Sequence, residues 1–340
     1  MGSQEVSPVY KCAVCKRTTT LFNYGVHSCN ACKMFFRRAQ NSKKFPTHCE
    51  LPEGNCDNCR YCRYQRCLTV GMNWRAPQQK SPDLAEILRK LTVMDDYRKD
   101  RFLNLTTMDD PTLDEIILYP INYFPRQKDI QADFYDWAFV DQTTSIEYMK
   151  QFDFVRELPR RELILFIKKN FMPFIMFCDS MRSYSVKEGS ARFPDGCDVY
   201  PDEIKELFKN APMVLETVRT QLIARLIELK VTREEFLLLG AVVICNPVCH
   251  LFSLETQALL TQHQVIFSTA LFKYCENTYQ QFGPSRFTDL LSICYIIHKT
   301  FLDFGNILIT YRCAVQNPNL RKVFIDLLNM VMISKDNSDF

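Results

Sequence analysis

Nine of the sixteen cysteines in this 340-residue chain fall between Cys12 and Cys67. They run Cys12, Cys15, Cys29 and Cys32, then Cys49, Cys56, Cys59, Cys62 and Cys67. A CxxC pair turns two sulfurs toward one centre, and two such pairs close a tetrahedron around Zn²⁺ at about 2.3 Å per bond. Cys12, Cys15, Cys29 and Cys32 therefore form one tetrathiolate site by spacing alone. The second reads as Cys49, Cys56, Cys59 and Cys62. Overlapping CxxC spacings leave Cys67 open, as a replacement for Cys56 or Cys62 or as a small buried side chain.

Between the two sites lies CNACKMFFRRAQNSKK. Its spacing predicts a helix from about Cys29 to Gln40 with two faces: Phe35, Phe36 and Ala39 pack, while Asn30, Lys33, Met34 and Arg37 reach outward. A basic helix pinned at its base by a thiolate cluster suits the DNA major groove, where Lys or Arg reads guanine and Asn reads adenine. The competing reading of a basic run is a solvated face. A second helix is predicted from about Cys59 to Val70, stopped by Gly71. Arg60, Arg63 and Arg66 lie along one side of it and, with Arg38, Lys43 and Lys44, are available for phosphates.

These elements sit in an uneven charge distribution. Residues 1–80 hold 13 Lys and Arg against 4 Asp and Glu, and the remaining 260 hold 29 against 35. The basic part calls for a polyanion, double-stranded DNA, and the acidic part does not. The lead MGSQEVSPVYKC has no basic stretch followed by an apolar one, so a signal peptide is not expected, and Val6 removes the myristoylation pattern that Gly2 invites. The longest apolar run, Phe236 to Cys245, is ten residues, too short to span a bilayer. Cysteine use then predicts reduced thiols in a soluble, metal-using intracellular protein, nuclear if it binds DNA.

Residues 73–81 are polar, carry Pro77 and show no periodicity, which predicts a hinge. A helix opens the second part over 82–104, with Leu84, Ile87, Leu88, Leu91 and Met94 at helical steps. Three prolines interrupt 105–133, leaving a short helix at 112–118. Helices follow over 139–158, 160–182, 202–210, 212–230, 232–245, 255–282, 286–316 and 319–332. The segment 160–182 is the most apolar and is expected at the centre, and 183–200 is turn-like with room for two short strands.

The segment NYGVHSCNACKMFFRRA, followed by CRYCRYQRCLTVGM, closely resembles the DNA-binding domain of nuclear hormone receptors, particularly the nematode branch, over residues 10 to 75. The resemblance implies that Cys12, Cys15, Cys29 and Cys32 hold the first zinc and that the first helix reads DNA. It matches Cys49, Cys59 and Cys62 to second-site ligands and Cys67 to a cysteine that is not a ligand. Two departures bear on specificity. The family usually has Glu and Gly where this chain has Asn30 and Ala31. The interval from Cys56 to Cys59 is two residues where about nine is usual for such modules, and that loop normally carries dimer contacts. Further on, MKQFDFVRELPRRELILFIKK resembles the receptor ligand-binding domain, and FPDGCDVY, NPVCHLFS and GPSRFTDLL are similar to its nematode members. Lys150 and Lys168 match two lysines that grip a coactivator helix in the family, and Asp326 stands where a glutamate usually completes the clamp. Such a clamp caps both ends of an amphipathic helix.

Catalytic readings fail. Cys245, Cys249 and His250 cluster in an apolar run where core packing is the expected role, His263 and His298 are isolated, and no Walker loop, GxSxG or HExxH is present. The expected fold is a small α-rich double zinc-finger module of nuclear receptor type followed by an all-α layered helical ligand-binding domain. Its boundaries are a lead over 1–10, the zinc module over 11–75, hinge and first helix over 76–110, and the helical domain over 111–335. The expected function is that of a two-zinc, sequence-specific transcription factor regulated by an apolar ligand or coregulator proteins, with a receptor dimer partner as a further candidate. Base contacts are assigned to Asn30, Lys33 and Arg37, and backbone contacts to Arg38, Arg63 and Arg66. The alternatives are a zinc-stabilised protein-interaction adaptor and a receptor that acts without ligand.

Overall fold

The computed structural model describes residues 10–40, 42, 46, 48–49, 59–73, 83–127, 131–247, 251–315 and 320–336, with side chains to 330. It divides into two compact units, Met1–Ser81 and Pro82–Phe340.

In the first unit β1 (Tyr10–Lys11) pairs antiparallel with β2 (Thr18–Thr19), and β3 (Phe22–Asn23) with β4 (Val26–His27). The β3–β4 turn is Tyr24–Gly25, with φ of 54° and 90°, the mirror-image turn whose twist suits a two-residue hairpin. Helix α1 (Asn30–Gln40) buries Cys32, Phe36 and Ala39, and α2 (Arg60–Thr69) buries Cys62 and Cys67. Phe36 lies between Tyr24 at 5.2 Å and Tyr64 at 5.9 Å. Gly71, at φ 93°, ends α2: its N–H donates to Leu68 and that of Met72 to Cys67, the paired closure that favours glycine there. Among the described residues its packed cluster is Cys12, Val14, Cys32, Phe36, Cys67 and Met72 with half-buried neighbours. So little apolar surface does not hold a fold of this size without a staple.

The second unit is helical. Its elements are α3 (Leu84–Asn104), β5 (Leu105–Thr106), α4 (Leu113–Leu118), β6 (Phe124–Pro125), α5 (Phe134–Lys150), α6 (Asp153–Arg156), α7 (Arg160–Ser185), α8 (Asp202–Leu207), α9 (Pro212–Leu229), α10 (Arg233–Ile244), α11 (Leu254–Tyr279), α12 (Gly283–Ala314) and α13 (Lys322–Asp336). As the hydropathy pattern predicts, α7 is central. It buries Phe166, Ile167, Phe171, Phe174 and Phe177 and packs on α5, α9, α10 and α12. Capping boxes start α4 at Thr112, α5 at Asp133 and α10 at Thr232, each satisfying two amides that a helix leaves open. Glu235 of the α10 box is fully buried and held by Arg286, whose Nε donates to Oε1 at 2.7 Å.

Three expectations need correction. The helix predicted over 139–158 begins at Phe134, because the Asp133 box nucleates it, and it stops at Lys150. There Phe152 turns extended and inserts between Tyr148 at 5.5 Å and Phe267 at 5.8 Å. The helix predicted over 255–282 stops at Tyr279, where Gln280 takes φ 50°, and α12 starts at Gly283. Instead of two strands in 183–200 there is one bridge, Arg192 to Asp198, and the strands that do form, β5 and β6, flank α4.

Candidate metal centres, nucleic-acid interface and helix clamp

The ligand sulfurs of Cys12, Cys15, Cys29 and Cys32 lie within 4.8 Å of one another. Cys15 Sγ and Cys29 Sγ are 3.6 Å apart, too far for a disulfide and close to the roughly 3.8 Å edge of a tetrahedron with zinc–sulfur bonds of 2.3 Å. The local backbone builds this geometry. Lys16, at φ 62°, closes the first CxxC turn, its N–H donating to the Cys12 carbonyl at 2.8 Å, while Cys29 and Cys32 sit at the start of α1. Burial opposes the thiolate at Cys12, but backbone amides of Cys29, Cys15 and Val14 bring its pKa down to about 6. Burial pushes Cys32 upward, against a hydrogen bond donated by Arg63 Nη2 to Cys32 Sγ at 3.5 Å. Four thiols packed this closely repel as anions, and a divalent cation removes the conflict. The donor set fits zinc.

Cys49, Cys59 and Cys62 form the second group, also within 4.8 Å. Cys56, its expected fourth member, lies outside the described residues, as do Lys43 and Lys44. Cys67 belongs to neither group. It is fully buried among Phe36 and Met72, and burial pushes its thiol up to about 11.

Asn30, Arg37 and Arg38 are exposed on α1 and Lys33 is half-buried. The helix has no acid in its first turn and two arginines in its last. On α2, Arg60 is exposed and Arg66 half-buried. Arg63 turns inward: besides Cys32 it covers the Phe35 ring, 4.5 Å from its centroid.

In the helical unit a cavity of about 140 Å³ lies among α5, α7, α12 and α13, with Met172, Ile175 and Phe304 on its wall. Phe324, Leu327 and Leu328 of α13 close one side. Two buried polar side chains of α5 reach the cavity, Asp141 and Gln142. Burial, first, and the neighbouring Asp179 push the Asp141 carboxyl well above its ordinary range, against the pull of Arg182 and Arg98. The sequence reading missed both residues, because they stand in the run Asp141–Ser145 that is buried all round rather than on one face.

Lys150, Lys168 and Asp326 all converge on α4. Lys150 Nζ donates to the Ile116 carbonyl at 3.3 Å, Lys168 Nζ pairs with Asp114 at 2.6 Å, and Asp326 Oδ2 accepts the Leu113 N–H at 2.8 Å. Among the potential nucleophiles, Cys245 is fully buried in the core. Cys249 and His250 lie outside the described residues.

Residues 10–74 match the family described as double treble clef zinc finger, C4 type. Residues 124–309 match the ligand-binding domain of nuclear hormone receptor. The chain belongs to the nuclear hormone receptor family. Among its relatives in Caenorhabditis elegans, nuclear hormone receptor family member nhr-9 is 33% identical over 326 residues, 94% of this chain and 96% of that one. Family member nhr-167 is 34% identical over 329 residues, 93% of this chain and 96% of that one. Family member nhr-27 is 33% identical over 305 residues, 87% and 85% of the two chains. The receptor is thus a transcription factor and not an enzyme, with a DNA-binding and a ligand-binding domain, and its cysteine clusters are those of a zinc module.

Proposed function

We propose that this receptor is a zinc-dependent, sequence-specific DNA-binding regulator that works in the nucleus and responds to a small apolar ligand and to coregulator proteins. The observation that carries the DNA reading is α1: its packed face is anchored by Cys32 and Phe36 while Asn30, Lys33 and Arg37 remain on the other side. Zinc, when bound, supplies the cross-links that so small an apolar cluster cannot. Asn30, Lys33 and Arg37 are assigned to base edges and Arg38 and Arg66 to phosphates. Arg63 leaves the phosphate set, because its guanidinium is engaged by Cys32 and Phe35. That hydrogen bond steadies a ligand thiolate, as groups around metal ligands commonly do.

The ligand reading rests on the cavity. At about 140 Å³ it has room for a group near the size of benzene, and the buried polar side chains of Asp141 and Gln142 on its wall suit a ligand that carries a polar group on its apolar body. Selection of preferred duplexes from a random pool by the full chain tests the DNA function. A defined half-site that disappears with chelator is expected, and equal binding to all duplexes overturns it in favour of charge alone.

A further inference from the structure

Helix α4 has the design of a partner helix. Leu113, Ile116 and Ile117, at the first, fourth and fifth positions, are at most 1% exposed, and the helix packs on α5, α7 and α13. Its ends are gripped in the sense the helix dipole requires. A lysine from α5 holds a carbonyl near its C-terminus, and a carboxylate from α13 takes the first amide at its N-terminus. The α7 lysine, Lys168, adds an ion pair to Asp114 at the second position. A helix of six residues is unstable alone in water. The Thr112–Glu115 capping box and this groove hold it. The same loop also reaches α13, since Asp110 Oδ1 accepts the Lys322 N–H at 3.0 Å.

We infer that α4 is a resident occupant of the groove between α5, α7 and α13, and that it competes there with a coregulator's amphipathic helix bearing branched aliphatic residues at the same three positions. The inference rests on the coregulator part of the proposed function. Lys150, Lys168 and Asp326 cannot grip an incoming helix while they grip α4, so the receptor is closed to that partner until α4 lifts. The chemistry of the occupant defines the partner: aliphatic at the first, fourth and fifth positions, acidic at the second, and no longer than the reach between Lys150 and Asp326.

The test uses the full chain with zinc and two labelled peptides, one copying residues 110–121 and one an unrelated helix with leucines at the three positions. Wild type is expected to bind both weakly. The Ile116→Ala plus Ile117→Ala receptor, whose own α4 is loosened, is expected to bind them at least about tenfold tighter, because a blocked fraction of sites is released. Lys150→Ala in that background is expected to lose the gain. If the double variant does not fold, Asp114→Lys replaces it: that side chain is half-exposed and reverses only the pair with Lys168. In wild type, excess leucine peptide is expected to speed amide exchange at Leu113–Leu118 and leave the middle of α5 unchanged. Equal affinity of the leucine peptide for wild type and loosened receptor, with no change in α4 exchange, overturns the resident-occupant inference and leaves a working coregulator groove. Binding of neither peptide to any variant overturns both.

Discussion

Lys33 and Arg63 carry the same charge on neighbouring helices of the zinc module, yet they meet different surroundings. Lys33 stands with Asn30 and Arg37 on the unpacked side of α1, and Lys33→Ala is expected to remove about 1 to 3 kcal/mol of discrimination at one base pair. Binding measured across single-base variants checks this, and an equal loss on every sequence assigns Lys33 to phosphate instead. Arg63→Ala is expected to act on the metal: zinc retention against a chromophoric chelator falls by about tenfold, and unchanged retention shows that the Cys32 hydrogen bond lends no support. The face of Lys33 was legible because three- and four-residue steps place it with Asn30 and Arg37. The inward turn of Arg63 was not, because its acceptor is 31 residues away in sequence and the arginine stripe on α2 read equally well as outward.

At the scale of elements, helical period reports burial on one side, as in α9 with Leu215, Leu222 and Leu226, while α7 and α10, buried on most sides, were readable as long apolar runs with polar starts. The same rule failed at Lys150, since Phe152, Phe154, Val155 and Leu158 continue the buried stripe across a break in the backbone. Two-residue strands such as β5 and β6 have no period to read. The short α4 was visible as a helix, but its relation to Lys150 and Asp326 spans 34 and 213 residues and exists only after folding. Gly283 tests the α11–α12 crossing. A Cβ there would stand 2.7 Å from the Glu276 Cα and 2.9 Å from its nitrogen, backbone atoms that cannot swing aside. Gly283→Ala is expected to destabilise the helical unit by about 1 to 3 kcal/mol, read as a lower denaturant midpoint. An unchanged midpoint means that the crossing gives way.

Over the whole molecule, the division into a basic unit and an acidic one was legible from charge alone, and no helix among the described residues is long and apolar enough to cross a membrane. The two units also differ in what holds them. Chelation is expected to unprotect the amides of α1 and α2 and leave those of α7 and α10 protected, because Cys178, Cys245 and Cys275 lie in an apolar core and need no ion. Hydrogen exchange resolved by segment reads this directly, and protection of α1 that survives metal removal contradicts it. The cavity was not legible, since an apolar stripe looks the same whether it lines space or fills it. An apolar compound at 100 times its dissociation constant is expected to add about 2.7 kcal/mol to the folded helical unit. A panel of small lipids followed by thermal shift checks it.

The pairing of Leu105 with Pro125 and Thr106 with Phe124 draws together the two ends of the segment that carries α4. A leash this short keeps the local concentration of a released α4 in the millimolar range, whatever the cellular abundance of its rivals. Any rival must therefore outbid a competitor that never diffuses away, so the threshold for recruitment is written into the clasp at its neck as much as into the groove.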